Sequence, residues 1–186
     1  THAALIHLLS APSPDPSFPP LLHAAAEMRA IARRFSRRVV LDGPKATPSA
    51  YHAASPGKFE YVHFVAHGVA TRRRPLDSAV ILARDASNSY KLLARDVVAE
   101  PLTARLVTIS SCHGAGTRTY AGEGVVGLAW AFLRAGAGQV IASLWEVNDA
   151  ATPQLMVKMY ASIRAGRDPA VALRDAKLTL VRSAGA

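Results

Sequence analysis

Two apolar runs in this sequence end on residues that could do chemistry. Tyr61–Val65 leads through Ala66 into His67-Gly68, and Arg105–Ser110 leads through Ser111 into Cys112-His113-Gly114. A free thiol near neutral pH is mostly protonated. A histidine within reach removes that proton or holds the thiolate as an ion pair, which turns the cysteine into a nucleophile. Gly68 leaves its backbone N–H open to a substrate carbonyl. With the N–H of Cys112 it would make an oxyanion hole, where losing one donor costs about a hundred- to a thousandfold in rate. His113 competes for the base role but ranks second, because adjacent residues point in different directions. His63, inside its run, ranks lower still. Blander readings stand beside this one. A lone cysteine at a strand end is more often a buried structural residue, and a lone histidine is more often a surface or satisfied core group. Pattern alone leaves these alternatives open.

For His67 and Cys112 to meet, the surrounding elements must bring two strand ends together. Ala3–Leu9 reads as a short buried strand, followed by a proline-rich loop over Ala11–Pro20. Leu22, Ala25, Met28, Ile31, Ala32 and Phe35 recur at helical spacing, which predicts a helix over Leu21–Phe35 with that face inward. Val39–Leu41, Tyr61–Val65, Ser78–Ala83, Arg105–Ser110 and Gln139–Leu144 read as strands. Leu92–Ala99, Gly122–Ala135, Asp149–Ala165 and Asp168–Ser183 read as helices. Thr47 is placed to cap a short helix with Pro48 at its first position. Gly136 and Gly138 stop one helix, Gly166 ends another, and Asp168 caps the last ahead of Pro169. Strands alternate with helices, and most are apolar throughout instead of at every second residue. That predicts an α/β fold with a mainly parallel sheet covered on both faces. In such sheets, sites form at the carboxyl ends of strands. His67 and Cys112 sit side by side there if their strands are neighbours.

Bulk properties narrow the classes. The 186 residues suffice for one domain with a sizeable core, and no repeat, low-complexity tract or linker divides residues 1–186. A single cysteine excludes an internal disulfide framework and a multi-cysteine zinc site. It suits a reducing, cytoplasmic setting. Thr1–Ser10 shows neither the charged n-region nor the small-residue cleavage site of a secretory signal, so none is expected there. The longest apolar stretch, Gly124–Trp145, is broken by Arg134, Gln139 and glycines. A charge near the middle of a membrane span is costly, so this stretch reads as a buried helix and strand, with no membrane partner. The net charge of +9 permits weak attraction to polyanions. The runs Arg33-Arg34, Arg37-Arg38 and Arg72-Arg73-Arg74 have no interleaved aromatics, however, and read as solvated faces without direct nucleic-acid binding. Gly114-Ala115-Gly116 and Gly122-Glu123-Gly124 lack the spacing of a phosphate-binding loop. No cofactor or metal is expected.

Short motifs in fixed order add a family resemblance. They are Glu27, Ala46-Thr47, His63-Phe64-Val65-Ala66-His67-Gly68, Pro75-Leu76-Asp77-Ser78, Leu92-Leu93-Ala94-Arg95-Asp96-Val97 and Ser110-Ser111-Cys112-His113-Gly114. After these come Gly122-Glu123-Gly124-Val125-Val126-Gly127-Leu128-Ala129, Ala135-Gly136-Ala137, Ser143-Leu144-Trp145-Glu146-Val147-Asn148-Asp149 and Ala172-Leu173-Arg174. Over nearly its whole length the chain resembles the CHAT domain, a branch of the caspase-like cysteine peptidases that includes separases. The resemblance implies a caspase-like αβα sandwich and a Cys–His dyad made of Cys112 and His67. It also implies a protein or peptide substrate. CHAT domains commonly sit at the end of a longer chain after helical repeats such as TPR units, which implies a C-terminal domain gated by a signal or by adjoining repeats. Trp145, Glu146 and Asp149 are the substrate-pocket candidates. Against these roles, Trp145 reads first as packing and Asp149 as a helix N-cap. Separase-like relatives that cleave after arginine carry an acidic residue a few positions beyond the Trp145 motif. Here that position is Pro153, so no strong preference for a basic residue is expected. The alternative function is a caspase-like interaction or scaffold module that cuts nothing.

Overall fold

The structure, a computed structural model, describes residues 5–11, 16–18, 20–69, 71, 73–110, 123–143 and 151–184. Five parallel strands make the main sheet: β1 (Leu5–Ser10), β2 (Arg37–Asp42), β3 (Tyr61–Val65), β7 (Leu106–Ser110) and β8 (Val140–Ala142), in the order β2-β1-β3-β7-β8. Residues of β1, β3 and β7 are buried on both faces, with only Leu5 partly exposed. That is why these strands read as continuous apolar runs. β2 lies at the edge and keeps Arg37 and Arg38 exposed.

Helices cover both faces. On one side, α1 (Ala24–Ala32), α5 (Thr152–Arg164) and α6 (Pro169–Ala184) enclose a core of Ile6, Leu8, Met28, Ile31, Tyr61 and Met159, among others. On the other, α2 (Pro48–Ala53), α3 (Ala94–Val98) and α4 (Glu123–Ala135) enclose Leu9, Val62, Phe64, Val107, Leu128 and Phe132. Local sequence sets the helix ends. Thr47 Oγ1 accepts from the Ala50 N–H at 3.1 Å, with Pro48 next in line. Asp168 Oδ1 accepts from the Ala170 N–H at 2.8 Å and the Val171 N–H at 3.4 Å, while Oδ2 accepts from Gln139 Nε2 at 3.0 Å. These bonds, the one from Gln139 foremost, hold the Asp168 carboxyl below the ordinary range. Gly136, at φ +116°, stops α4 where a Cβ would come within 2.4 Å of the Leu102 carbonyl oxygen, so both the backbone conformation and the close approach require glycine.

Four sequence expectations shift. Ser78–Ala83 does not join the parallel sheet. Its core, β5 (Ala79–Ile81), pairs antiparallel between β4 (Gly68–Val69) and β6 (Lys91–Leu93) in a second, three-stranded sheet. An apolar run signals burial on both faces but not the direction of its partner. The helix expected from Leu92 begins at Ala94, because Leu92 is spent in β6. Leu22 is 81% exposed; it precedes the first turn of α1, where helical periodicity no longer applies, and the buried face is Ala24, Glu27, Met28 and Ile31. Finally, α5 starts at Thr152 with Ala151 in the cap position, so the N-cap expected of Asp149 falls elsewhere. Pro153 sits in the first turn of α5, where its missing N–H costs nothing.

Candidate active site

β3 and β7 are neighbours and run parallel, with Val65 opposite Ser110. His67 follows Val65 by two residues, and Cys112 follows Ser110 by the same count. On the far side of β7 lies β8, with Ala142 opposite Ile109; its chain continues toward Trp145, Glu146 and Asp149. The strands leading to His67, to Cys112 and to the pocket candidates are thus consecutive in the sheet, with their carboxyl ends on one side. Cys112, His113, Trp145, Glu146 and Asp149 themselves lie outside the described residues.

His67 is 2% exposed. Its ring leans on Phe18, with centroids 5.3 Å apart and planes tilted by 36°. Its backbone oxygen accepts from the Ile81 N–H at 2.8 Å. That bond fixes the phase of the β4–β5 ladder. In an antiparallel pair, hydrogen-bonded and non-hydrogen-bonded positions alternate. Gly68, opposite Val80, therefore occupies a non-hydrogen-bonded position, and β5 does not take up its N–H. Ser78, beside β5, is braced as well: its Oγ accepts from the Thr71 N–H at 3.1 Å. Asp77 pairs with Arg74 at 2.8 Å and with Arg95. Phe18 also walls an apolar groove of about 560 Å³ with Leu21, Met28 and Val40, near the carboxyl ends of β1 and β2.

His63, ranked below His67 and His113 as a base, is engaged elsewhere. It is fully buried, with Nε2 at 2.9 Å from Glu27 Oε1 and Nδ1 at 3.2 Å from the Tyr160 hydroxyl. Tyr160 in turn lies 3.0 Å from Thr108 Oγ1. Sequence reasoning gave this cluster no role. The available signal was a histidine and a threonine in the middle of apolar strands, since a polar group buried there needs a partner. Among the described residues, no three His, Cys, Asp or Glu side chains group as a metal site would require, and no helix is long and apolar enough to cross a membrane.

A family model described as the CHAT domain matches residues 4–185. Over 85 residues, 46% of this chain, the sequence is 36% identical to tetratricopeptide repeat protein 28 of Homo sapiens, and the matched stretch is 3% of that protein's length. Among solved structures, the complex of Porphyromonas gingivalis RgpB pro- and mature domains superposes with a TM-score of 0.50 at 16% identity, over 87% of this chain and 37% of that one. The Arg specific cysteine proteinase gingipain R superposes with a TM-score of 0.49 at 13% identity, over 92% of this chain and 42% of the other. The likeness to the RgpB complex is one of fold, and the parallel five-stranded sheet with helices on both faces is a caspase-like αβα sandwich.

Proposed function

The chain belongs to the CHAT domain family, and we propose that it is a cysteine endopeptidase with Cys112 as nucleophile and His67 as general base. The observation that carries this reading is the register of β3 on β7, in which Val65 faces Ser110. Two residues of chain span at most about 7 Å, so His67 lies within that reach of Val65 and Cys112 within that reach of Ser110, at two paired strand ends. His67 withdraws the Cys112 proton, and the thiolate attacks a peptide carbonyl carbon. The oxyanion is met by the backbone N–H groups of Gly68 and Cys112, a role supported for the first by a ladder phase in which β5 does not take up that N–H. His67 then returns the proton to the departing amine, and water hydrolyses the thioester to free acid and thiol. Trp145, Glu146 and Asp149 are proposed to line the substrate pocket from the chain following β8. Pro153 in the first turn of α5 favours a substrate without a required basic residue before the scissile bond.

In the whole protein, this domain is proposed to sit behind helical repeats that gate it. Its likeness to a stretch of a tetratricopeptide repeat protein supports that arrangement. Labelling with an electrophilic peptide probe tests the central claim, because the chain has a single cysteine to label. Wild type should label at least about a hundredfold faster than His67→Ala. Equal, slow labelling of both would sink the dyad. Cleavage of a protein partner that survives Cys112→Ala would move the activity to another site.

A further inference from the structure

Four polar side chains are shut into the layer between the sheet, α1 and α5, and the chemistry above uses none of them. Glu27 is 2% exposed, His63 and Thr108 are 0% exposed, and Tyr160 is fully buried. With a proton on Nε2 of His63, their hydrogen bonds run one way. The Thr108 hydroxyl donates to the Tyr160 oxygen, the Tyr160 O–H donates to His63 Nδ1, and the His63 Nε2–H donates to the Glu27 carboxylate, over 3.0, 3.2 and 2.9 Å. Every donor meets an acceptor and the string ends on a carboxylate, so the bonds polarise one another. Burial, above all, keeps the Tyr160 phenol well above its ordinary value. It therefore remains an O–H donor through any working pH.

Stability alone does not call for such a string. Apolar residues of the same shape are often as stabilising as a buried polar network. The difference is direction: apolar contacts tolerate sliding and rotation, whereas a hydrogen-bonded string does not. Its four members come from four elements with a stake in the site. His63 on β3 and Thr108 on β7 are register partners, and each lies four residues before a proposed catalytic residue, His67 or Cys112. Tyr160 bridges them from α5, the helix that follows the Trp145–Asp149 segment. Glu27 comes from α1, whose preceding segment carries the Phe18 ring against His67. The β3–β7 pairing ends at Val65 and Ser110, short of both residues.

We infer that Tyr160, with His63 and Thr108, is a set of positioning residues for the His67–Cys112 pair. The bridge ties α5 across the two strands and fixes the relative twist of their carboxyl ends. Proton transfer from thiol to imidazole needs heavy atoms within about 3.2 Å, and a misplacement of about 1 Å costs on the order of a hundredfold. The inference rests on the dyad reading.

The lone cysteine supplies the test. Alkylation of the chain by iodoacetamide, followed by intact mass across pH, reports the Cys112 thiol and needs no substrate. Tyr160→Phe and Thr108→Val each remove a hydroxyl and preserve shape, while Thr108→Ser restores the hydroxyl. Wild type should inflect below the ordinary thiol value of about 8.5. Tyr160→Phe and Thr108→Val should move the inflection up by about one unit and slow alkylation at pH 7 about tenfold. Thr108→Ser should track wild type. A purely structural role would lower the melting temperature and leave the profile alone. Cooperatively folded Tyr160→Phe and Thr108→Val proteins with the wild-type profile therefore overturn the inference, and if Tyr160→Phe fails to fold, the Val and Ser variants at position 108 decide it. A wild-type profile that His67→Ala also leaves unmoved removes the dyad itself, and this inference falls with it.

Discussion

Two buried histidines on adjacent strands are treated in opposite ways. His7 on β1 lies opposite Val62, and His63 on β3 lies opposite Leu8, so their side chains leave the sheet on different faces. Both are 0% exposed. His63 meets Glu27 and Tyr160. His7 stacks against Phe59 with centroids 4.6 Å apart and lies parallel to Tyr51 at 5.9 Å, and neither of its ring nitrogens has a hydrogen-bond partner. Apolar packing accepts a neutral imidazole as a flat ring and gives it nothing to do. The His63 face orients its ring through two elements. The contrast separates a histidine that the fold merely tolerates from one that organises it.

The largest effect should come from cutting the organised side. Glu27→Ala leaves the His63 Nε2–H buried without an acceptor and opens space beneath α1. An unsatisfied buried donor costs about 1–3 kcal/mol, and the cavity left by the side chain adds to it. Glu27→Gln, whose carbonyl still accepts, should cost less than half as much. Urea unfolding of the two variants measures the gap, and a Glu27→Ala penalty under about 1 kcal/mol would put His63 in the same class as His7.

The tolerated side should announce itself through pH. Burial, with the nearby Lys58 charge adding to it, pulls the His7 pKa down to about 4 from an ordinary value of 6.5. The unfolded chain therefore takes up this proton near pH 6.5 and the folded chain only near pH 4. Stability is fully present above about pH 6.5, drains away as pH falls through that window, and loses nothing more from this group below it. The span corresponds to about 3 kcal/mol. His7→Leu abolishes that slope, whatever it does to absolute stability at pH 7. Chemical denaturation at pH 7 and pH 5 reads the difference, and a variant retaining the wild-type slope would place the acid sensitivity elsewhere.

The same asymmetry marks what the sequence discloses. Features fixed by neighbours in the chain are legible: the Thr47 and Asp168 caps, the stop at Gly136, and the apolar runs that become β3 and β7. The carboxyl-edge location of His67 is legible too, because the strand ends there. Relations across the chain are not. The apolar run at Ser78–Ala83 signals burial but not its antiparallel place between β4 and β6. A histidine inside an apolar strand implies a partner without identifying it. Both AALIHLL and YVHFV contain one, yet only the second is hydrogen-bonded. The motif order carries the family, and the family's match over residues 4–185 agrees. Cys112, Trp145, Glu146 and Asp149 rest on that order, since their geometry lies outside the described residues.

The smallest test uses two buried tyrosines in place of the histidines. The Tyr160 hydroxyl bonds Thr108 and His63, whereas the Tyr51 hydroxyl is buried without a hydrogen-bond partner. Burial raises both phenols above their ordinary range, so each stays neutral and ionisation does not enter. An unmade buried bond carries a desolvation cost that deletion of the group removes; a made one carries a net gain that deletion forfeits. Tyr51→Phe should thus be neutral or stabilising by up to about 1 kcal/mol, and Tyr160→Phe destabilising by about 1–2 kcal/mol. Thermal melts of the two single variants suffice. Equal losses in both would mean that the hydroxyls count alike and that the faces differ in composition alone. Opposite signs would show that the Tyr160 face draws stability from a bond the Tyr51 face never forms.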